Sequence, residues 1–477
     1  MTTKAWMRAN VVAAASMGLA LRAFFVFGLP ATGSGDAPFY IDLAWNWLKN
    51  AVYGVYADGR LIPLDARVPG YPAFLATIFS VAGKSPRAVL LAQALVDLAA
   101  CFLVALIAAR LAPASSRRRV ALAGLWLAAL CPFTANYTAV VQTETLATFL
   151  TALAILLLME ALSGAGRAVT NDATVNRSAF SPWFLAGIVV GFGTLVRPET
   201  PLLLAAAAFV LVARCRKPVD WLKLARTGLL MGAGLLLPLL PWAARNWHTL
   251  HKIQFLAPRY AQLPTEVAPA GFNSWTHTWL WRLKDVYLTV WNLDEEKIQV
   301  DDLPRSAFDS PQERARITNV LDEYNLSLTL SPDEDRAFGE IARERTALHP
   351  LRTFVKIPLL RSLAMWFTPR VDLLPSSSPV WPLRTEWRED RHDLLVTLFL
   401  FFVNCLYVAL ALVGVWMARG RPGWAFLIVF VALRTAFFAG FADAPEPRYV
   451  LECFPAVISL AAQVFGGGRQ LSPTGSG

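Results

Sequence analysis

Long apolar runs, each near the length needed to cross a hydrocarbon core, recur from one end of this chain to the other. A chain built this way must satisfy its backbone hydrogen bonds inside lipid, which leaves helices as the economical solution. Ten spans are expected, over residues 11–29, 88–111, 120–136, 145–162, 183–196, 202–213, 228–244, 394–417, 424–441 and 450–465. The fifth and sixth are short. With 56% hydrophobic and 16% charged residues the composition excludes an ordinary soluble protein, and Trp and Phe gather at the span edges as an interfacial belt requires. The expected fold class is therefore all-α and polytopic, a bundle of about ten transmembrane helices.

The formal charge of +10 does not point to nucleic acid, because the basic residues sit in short loops between apolar runs. Topology accounts for them. Lys4 and Arg8, "SSRRRV", "ARCRKPVDWLKLAR" and "ARGRPG" all fall on one side under this count, which the positive-inside rule makes cytoplasmic for both termini. The first run lacks a small-residue cleavage site and reads as a retained helix. Cys101, Cys131, Cys215, Cys405 and Cys453 show no paired spacing, so neither a disulfide framework nor a zinc site is indicated.

This orientation divides the chain into an N-terminal membrane module (1–246) with an external loop (30–87), an external domain (247–392), C-terminal spans (393–466) and a Gly/Ser-rich tail (467–477) read as disordered. The external domain is expected to be small and mostly helical. Its stretch "SPDEDRAFGEIARERTALHPLRTFVKIPLLRSLAMWF" has the 3.6-residue period of an amphipathic helix meeting the membrane surface.

Polar residues at the outer ends of the spans need a reason. In "SGDAPFYIDLAWNWL", Asp36 and Tyr40 share one face of a short helix, with Ile41, Ala44, Trp45 and Leu48 as an apolar stripe. Asp36 is either the cap of that helix or a reactive carboxylate. Arg67 precedes the Pro-Gly-Tyr-Pro turn holding Tyr71, and the following apolar run suits a surface-lying or re-entrant segment. At headgroup depth a guanidinium either grips phosphate or anchors the interface. Glu144 stands at the outer mouth of the fourth span, and Arg197, Arg245 and Arg448 fall on the same side. Arg22, Asp97 and Arg434 lie within apolar runs and must be paired or hydrated, Arg22 with Asp97 between the first two spans. That pair serves either structure or the lining of a substrate cavity. His248 and His251 alone are close together among the five histidines, a spacing any amphipathic turn produces, and no nucleotide-binding fingerprint occurs.

The run "GDAPFYIDLAWNWL…GVY…RVPGYPAFLATIFSVAG", then "QTETLATFL", "GIVVGFGTLVRPE", "LPWAARNW" and "EPRYVLECFPA", resembles the bacterial membrane glycosyltransferases of the GT-C superfamily. The similar branch is that of protein O-mannosyltransferases and the aminoarabinose transferases that modify lipid A. The resemblance extends over about residues 11–465, weakly in the external domain. It implies an inverting glycosyltransferase of the bacterial inner membrane that passes a sugar from a polyprenyl-phosphate carrier to an acceptor hydroxyl at the periplasmic face. The acceptor is a glycolipid, a polysaccharide or a protein. The family's catalytic base matches Asp36, and its second external acid matches Glu144. "GDAP" has one acid where many relatives have an adjacent pair, which weakens the case for a metal; no cofactor is expected, with a divalent cation left open.

The chemistry suits these residues on its own terms, since a carboxylate can take the acceptor proton and arginines can stabilise the departing phosphate. Asp36 is expected as base with Glu144 as second acid, and Arg67, Arg448, Arg197 and Arg245 as donor-phosphate ligands. Tyr40, Tyr71, Arg22 and Asp97 are expected to line the substrate. The rival from another class is a transporter or lipid flippase, and within the enzymes a polysaccharide ligase or oligosaccharyltransferase.

Overall fold

The structure is a computed structural model of the 477-residue chain. It describes residues 3–28, 35–167, 181–215, 217–258, 267–374 and 383–467. The expected tail, apart from Gly467, the end of the first expected span at Leu29 and the start of the 30–87 loop lie outside the described residues.

The chain begins with α1 (Thr3–Gly28), α2 (Ala37–Asn50), the strands β1 (Gly54–Ala57) and β2 (Arg60–Pro63), α3 (Gly70–Ala82) and α4 (Pro86–Leu111). It continues with α5 (Arg117–Ala129), α6 (Pro132–Ala135), α7 (Glu144–Arg167), α8 (Pro182–Thr194), α9 (Leu202–Val212) and α10 (Pro218–Leu250). Next come α11 (Ala270–His277), α12 (Leu283–Tyr287), α13 (Pro311–Ser327), α14 (Pro332–Leu348) and α15 (Ile357–Trp366). The last helices are α16 (Leu383–Glu389), α17 (Arg391–Met417), α18 (Trp424–Phe441) and α19 (Phe454–Ala461).

The fold is all-α and polytopic, as the apolar runs require. Among the described residues seven helical segments are long and apolar enough to cross a membrane: α1, α4, α7, α10, α17, α18 and residues 447–466. An eighth results if α5 and the segment that follows it, bent by 48° at the break before Pro132, count as one. The fifth and sixth expected spans are α8 and α9, only 13 and 11 residues long. The run after Arg67 is α3, also 13 residues, which fits the surface-lying or re-entrant expectation.

Within the described residues the one sheet is the β1–β2 hairpin, unforeseen in the external loop. Its turn is Asp58-Gly59, both at positive φ, which is the geometry a tight two-residue turn demands. Several helix starts are written locally. Ser85, Ser310 and Ser331 each accept a hydrogen bond from the backbone N–H three residues on, with proline next in line.

Two compact units emerge: Met1–Ala257 with Pro369–Val431 and Leu451–Gly477, and Pro258–Thr368 with Ala432–Val450. In the first unit, α8 lies backbone to backbone against α10. A Cβ on Gly187 would meet the carbonyl oxygen of Met231 at 2.4 Å, and one on Gly191 would meet that of Leu235 at 2.5 Å. The "GIVVG" stretch is thus a small-xxx-small packing face.

The second unit is built on an aromatic core of Phe272, Trp275, Trp279 and Phe338, against which Ile317, Leu321 and Tyr324 pack. The stretch expected to be one amphipathic helix divides in two. Its first half, α14, buries Phe338, Ile341 and Ala342 in that core. Its second half passes through a π-helical turn (Arg352–Lys356) into α15 and presents Leu351, Phe354, Leu359 and Leu363 outward.

Gly191→Val should lower the unfolding midpoint of the purified protein, a loss of about 1–3 kcal/mol from overpacking. Gly228→Ala, where nothing lies within 4 Å, should not. Equal midpoints for wild type and Gly191→Val in a thermal melt would disprove the close approach.

Candidate active site

The site belongs to the first unit and starts at the entry to α2. Gly35, at φ +69°, turns the chain so that Asp36 precedes the helix. Asp36 already has helical backbone angles and its side chain makes no capping bond. The cap alternative therefore fails, because Oδ1 accepts a hydrogen bond from Arg67 Nη2 at 2.9 Å. The pair is a third exposed, 38% at Asp36 and 33% at Arg67. Among the described residues Oδ2 of Asp36 has no protein hydrogen bond.

Arg67 is held by more than this carboxylate. Its Nη1 donates to the carbonyl of Ala66, and its guanidinium lies 5.6 Å from the Phe39 ring centre. Burial is the largest influence and works against its charge, but Asp36 and Tyr40 together outweigh it and raise the pKa. Tyr53 fixes the backbone from behind by donating its hydroxyl to the carbonyls of Arg67 (3.0 Å) and Val68 (3.3 Å). Arg245 in turn donates to the carbonyls of Tyr53 (2.7 Å) and Leu64 (2.8 Å) and stacks over Trp242 and Tyr53. It thereby pins the hairpin base.

Tyr40 and Tyr71 meet edge to face at 5.1 Å. Burial first, then the negative charge of Asp36, pushes the Tyr40 phenol up to about 12, with Arg67, Glu144 and Arg197 also in its field. At neutral pH it is a hydrogen-bond donor. Tyr71 donates to Gln93 Oε1 at 2.7 Å, and Gln93 Nε2 donates to the carbonyls of Val140 (2.8 Å) and Thr138 (3.3 Å). That buried chain ties α3 to α4 and to the segment leading into α7.

Glu144 and Arg197 form the second pair. Both are buried, with Arg197 Nη2 at 2.6 Å from Glu144 Oε1. The same guanidinium donates through Nε to Thr143 at 2.9 Å and through Nη1 reaches Glu452 at 2.8 Å and Glu199 at 3.8 Å. The turn bearing Arg197 also accepts, at Leu195 O, the N–H of Gly70 at 2.7 Å. Only glycine fits there, since a Cβ would stand 2.5 Å from that oxygen. The Arg67 and Arg197 loops are therefore in backbone contact.

The other expected residues make contacts of their own. Arg22 and Asp97 pair at 2.5 Å deep between α1 and α4, where Arg22 also donates to the carbonyls of Gly18 and Ala129. The cavity beside Asp97 measures about 10 Å³, so the pair faces packed protein. Arg448 belongs to the second unit, with its Nε 2.5 Å from Glu446, and Arg434 in that unit donates to Tyr449 O. Among the described residues no three His, Cys, Asp or Glu side chains come together as a metal site would need.

Sequence reasoning missed Glu452, Gln93 and Tyr53. The first two were detectable, being a lone acid and a lone amide within apolar runs, where a polar group needs a partner. Nothing in the sequence distinguishes Tyr53.

Residues 66–243 match the family model described as Dolichyl-phosphate-mannose-protein mannosyltransferase, a segment that carries Arg67, Tyr71, Glu144 and Arg197 but not Asp36. No curated protein matches the chain. Among solved structures, the Archaeoglobus fulgidus oligosaccharyltransferase tethered with an acceptor peptide containing the NVT sequon is similar at TM-score 0.50 and 15% identity. The match covers 96% of this chain and 49% of that one. The archaeal oligosaccharyltransferase AglB from the same organism, in complex with an inhibitory peptide and a dolichol-phosphate, gives a TM-score of 0.48 at 16% identity over 96% and 50%. The chain spans about half the length of these structures, and at such identities the likeness concerns the fold. The family match concerns residues 66–243, and the likeness at TM-score 0.50 concerns the fold alone.

Glu452→Gln should destabilise the protein by about 3–5 kcal/mol, as removing one partner from a buried charge network does. A denaturant or thermal melt indistinguishable from wild type would show that Glu452 is no part of the clamp.

Proposed function

We propose that the chain is an inverting glycosyltransferase that moves a sugar from a polyprenyl-phosphate carrier to an acceptor hydroxyl. The observation that carries this reading is the half-open Asp36–Arg67 pair, a base and a phosphate-binding cation side by side on one short loop contact. The acceptor hydroxyl gives its proton to Asp36 as its oxygen bonds to the anomeric carbon. The carbon–oxygen bond to the phosphate breaks on the opposite face, and its electron pair leaves with the polyprenyl phosphate. A single displacement of this kind inverts the anomeric centre. Arg67 stabilises the charge that grows on the leaving phosphate.

Tyr40 supplies a donor beside the same carboxylate. Glu144 and Arg197, locked together and to Glu452, act as positioning residues that hold the floor of the site. Arg245 acts likewise through Tyr53. A protein hydroxyl is the acceptor that the matched family's description favours, with glycolipids and polysaccharides as the alternatives to be measured. The reading takes the membrane as a bacterial inner membrane, and the loop basicity favours cytoplasmic termini with the site on the opposite, periplasmic face. The transporter reading gains no support from these contacts: the candidate groups meet at helix ends and loops, whereas carriers hold their sites on broken helices near the midplane.

The test is mass spectrometry of surface glycoproteins and glycolipids from cells with the wild-type chain, without it, and with variants. A sugar mass should appear only with the active chain, and Asp36→Asn should reduce it by about 100-fold or more at unchanged protein level. Product at wild-type level from Asp36→Asn would remove Asp36 as base. Arg67→Ala should raise the apparent KM for the purified lipid donor by about tenfold; an unchanged value would make Arg67 an anchor only.

A further inference from the structure

The second unit contains a cavity of about 1070 Å³ walled by α11, α14 and the segment leading into α15, together with the end of α18. Nothing in the transfer reaction uses it. Its charged lining is one-sided: Arg336, Arg343 and Arg361 against a single carboxylate, Asp335. That carboxylate is already committed, accepting the backbone N–H groups of Gly271 and Phe272 at 2.8–2.9 Å.

Arg361 is the unusual member. It is 1% exposed, and its Nε and Nη1 donate to the carbonyls of Leu280 and Ala442, both at 2.8 Å. Its Nη2 is buried with no hydrogen-bond partner. A guanidinium taken out of water with donors unfilled is costly unless a further acceptor arrives. Burial lowers its pKa to about 10, against a partial counter-effect from Asp443.

Beside polar lining such as Asn273, His277 and Thr346, one side of the cavity is apolar, with Phe354, Ile357 and Phe441. Phe354 also belongs to the outward apolar ridge with Leu351, Leu359 and Leu363, the part of the chain whose pattern suits a membrane surface. A space of this size exceeds what a bare inorganic anion fills and is ample for a drug-sized ligand.

We propose that this cavity binds an anionic amphiphile, its phosphate or carboxylate head against Arg361 and Arg343 and its hydrocarbon along Phe354 and Ile357. The bilayer is the source of the ligand, reached across the apolar ridge. Arg343, 77% exposed and only 4.0 Å from Glu340, is free to turn toward the head. The assignment does not depend on the transferase reading.

The full-length protein in phosphatidylcholine nanodiscs is labelled with a diazirine-bearing alkyl phosphate, and the adducts are mapped by peptide mass spectrometry. Mapping separates this cavity from any phosphate binding at Arg67. Adducts should fall in residues 270–277 and 336–361 and be competed by dodecyl phosphate but not by dodecyltrimethylammonium or inorganic phosphate. Arg343→Glu and Arg361→Gln should each weaken the labelling there by about tenfold. Arg361→Gln is the variant at risk of misfolding, and Arg343→Glu, at an exposed position, keeps the outcome readable. Equal competition by the cationic amphiphile, or undiminished labelling in Arg343→Glu, would overturn the proposal. Full competition by inorganic phosphate alone would overturn the amphiphile and leave a bare anion site.

Discussion

One buried guanidinium, that of Arg197, holds together parts of the chain that lie more than two hundred residues apart. Glu144 opens α7, Glu452 comes from the C-terminal segment, and Arg197 sits on the turn between α8 and α9. Each carboxylate inside the bundle would be expensive alone, and a cation so placed offsets both. The same turn takes the N–H of Gly70, so the loop that carries Arg67 is registered against it through backbone rather than side chain. Loss of the clamp would therefore disturb the site's geometry without touching Asp36.

Ion pairs in the first unit differ in what they leave available. Arg22 and Asp97 are 0% and 2% exposed, and Arg197 with Glu144 is nearly as closed. Such pairs have given up their hydration and cannot exchange partners without a large penalty. Asp36 and Arg67 keep about a third of their surface. Their mutual attraction is weakened by solvent, which under the proposed transfer lets a phosphate compete for the guanidinium while the carboxylate turns to a hydroxyl. Exposure, more than the presence of charge, separates a pair that can exchange partners from one that cannot.

Seven or eight of the ten expected spans and the Arg22–Asp97 partnership were legible because each follows from a local cost, that of unsatisfied backbone or an unpaired charge in hydrocarbon. The "GIVVG" face and the Asp58-Gly59 turn were equally legible, being short patterns with a steric cause, yet they are easily passed over among apolar residues. Whether Asp36 caps a helix or meets Arg67 was not legible. Both use the same side chain at the same position, and only the path of the intervening 30 residues decides between them. Arg245 shows the deeper limit. It bonds main-chain carbonyls of Tyr53 and Leu64, and carbonyls have no residue identity to read.

The second unit offers an internal comparison between two buried arginines. Arg345 donates to Thr278, Ser306 and Ala307 and meets Glu313, so its fork is filled from several directions. It ties α14 to the start of α13 and serves the fold. Arg361 has a similar burial but only two carbonyl acceptors within 3.0 Å, and one nitrogen without any. Two cations with almost no exposed surface, in one small unit, would both acquire full shells if stability alone governed their surroundings. The one left incomplete lines the cavity and the complete one does not, which is the distribution expected when the missing acceptor belongs to a ligand.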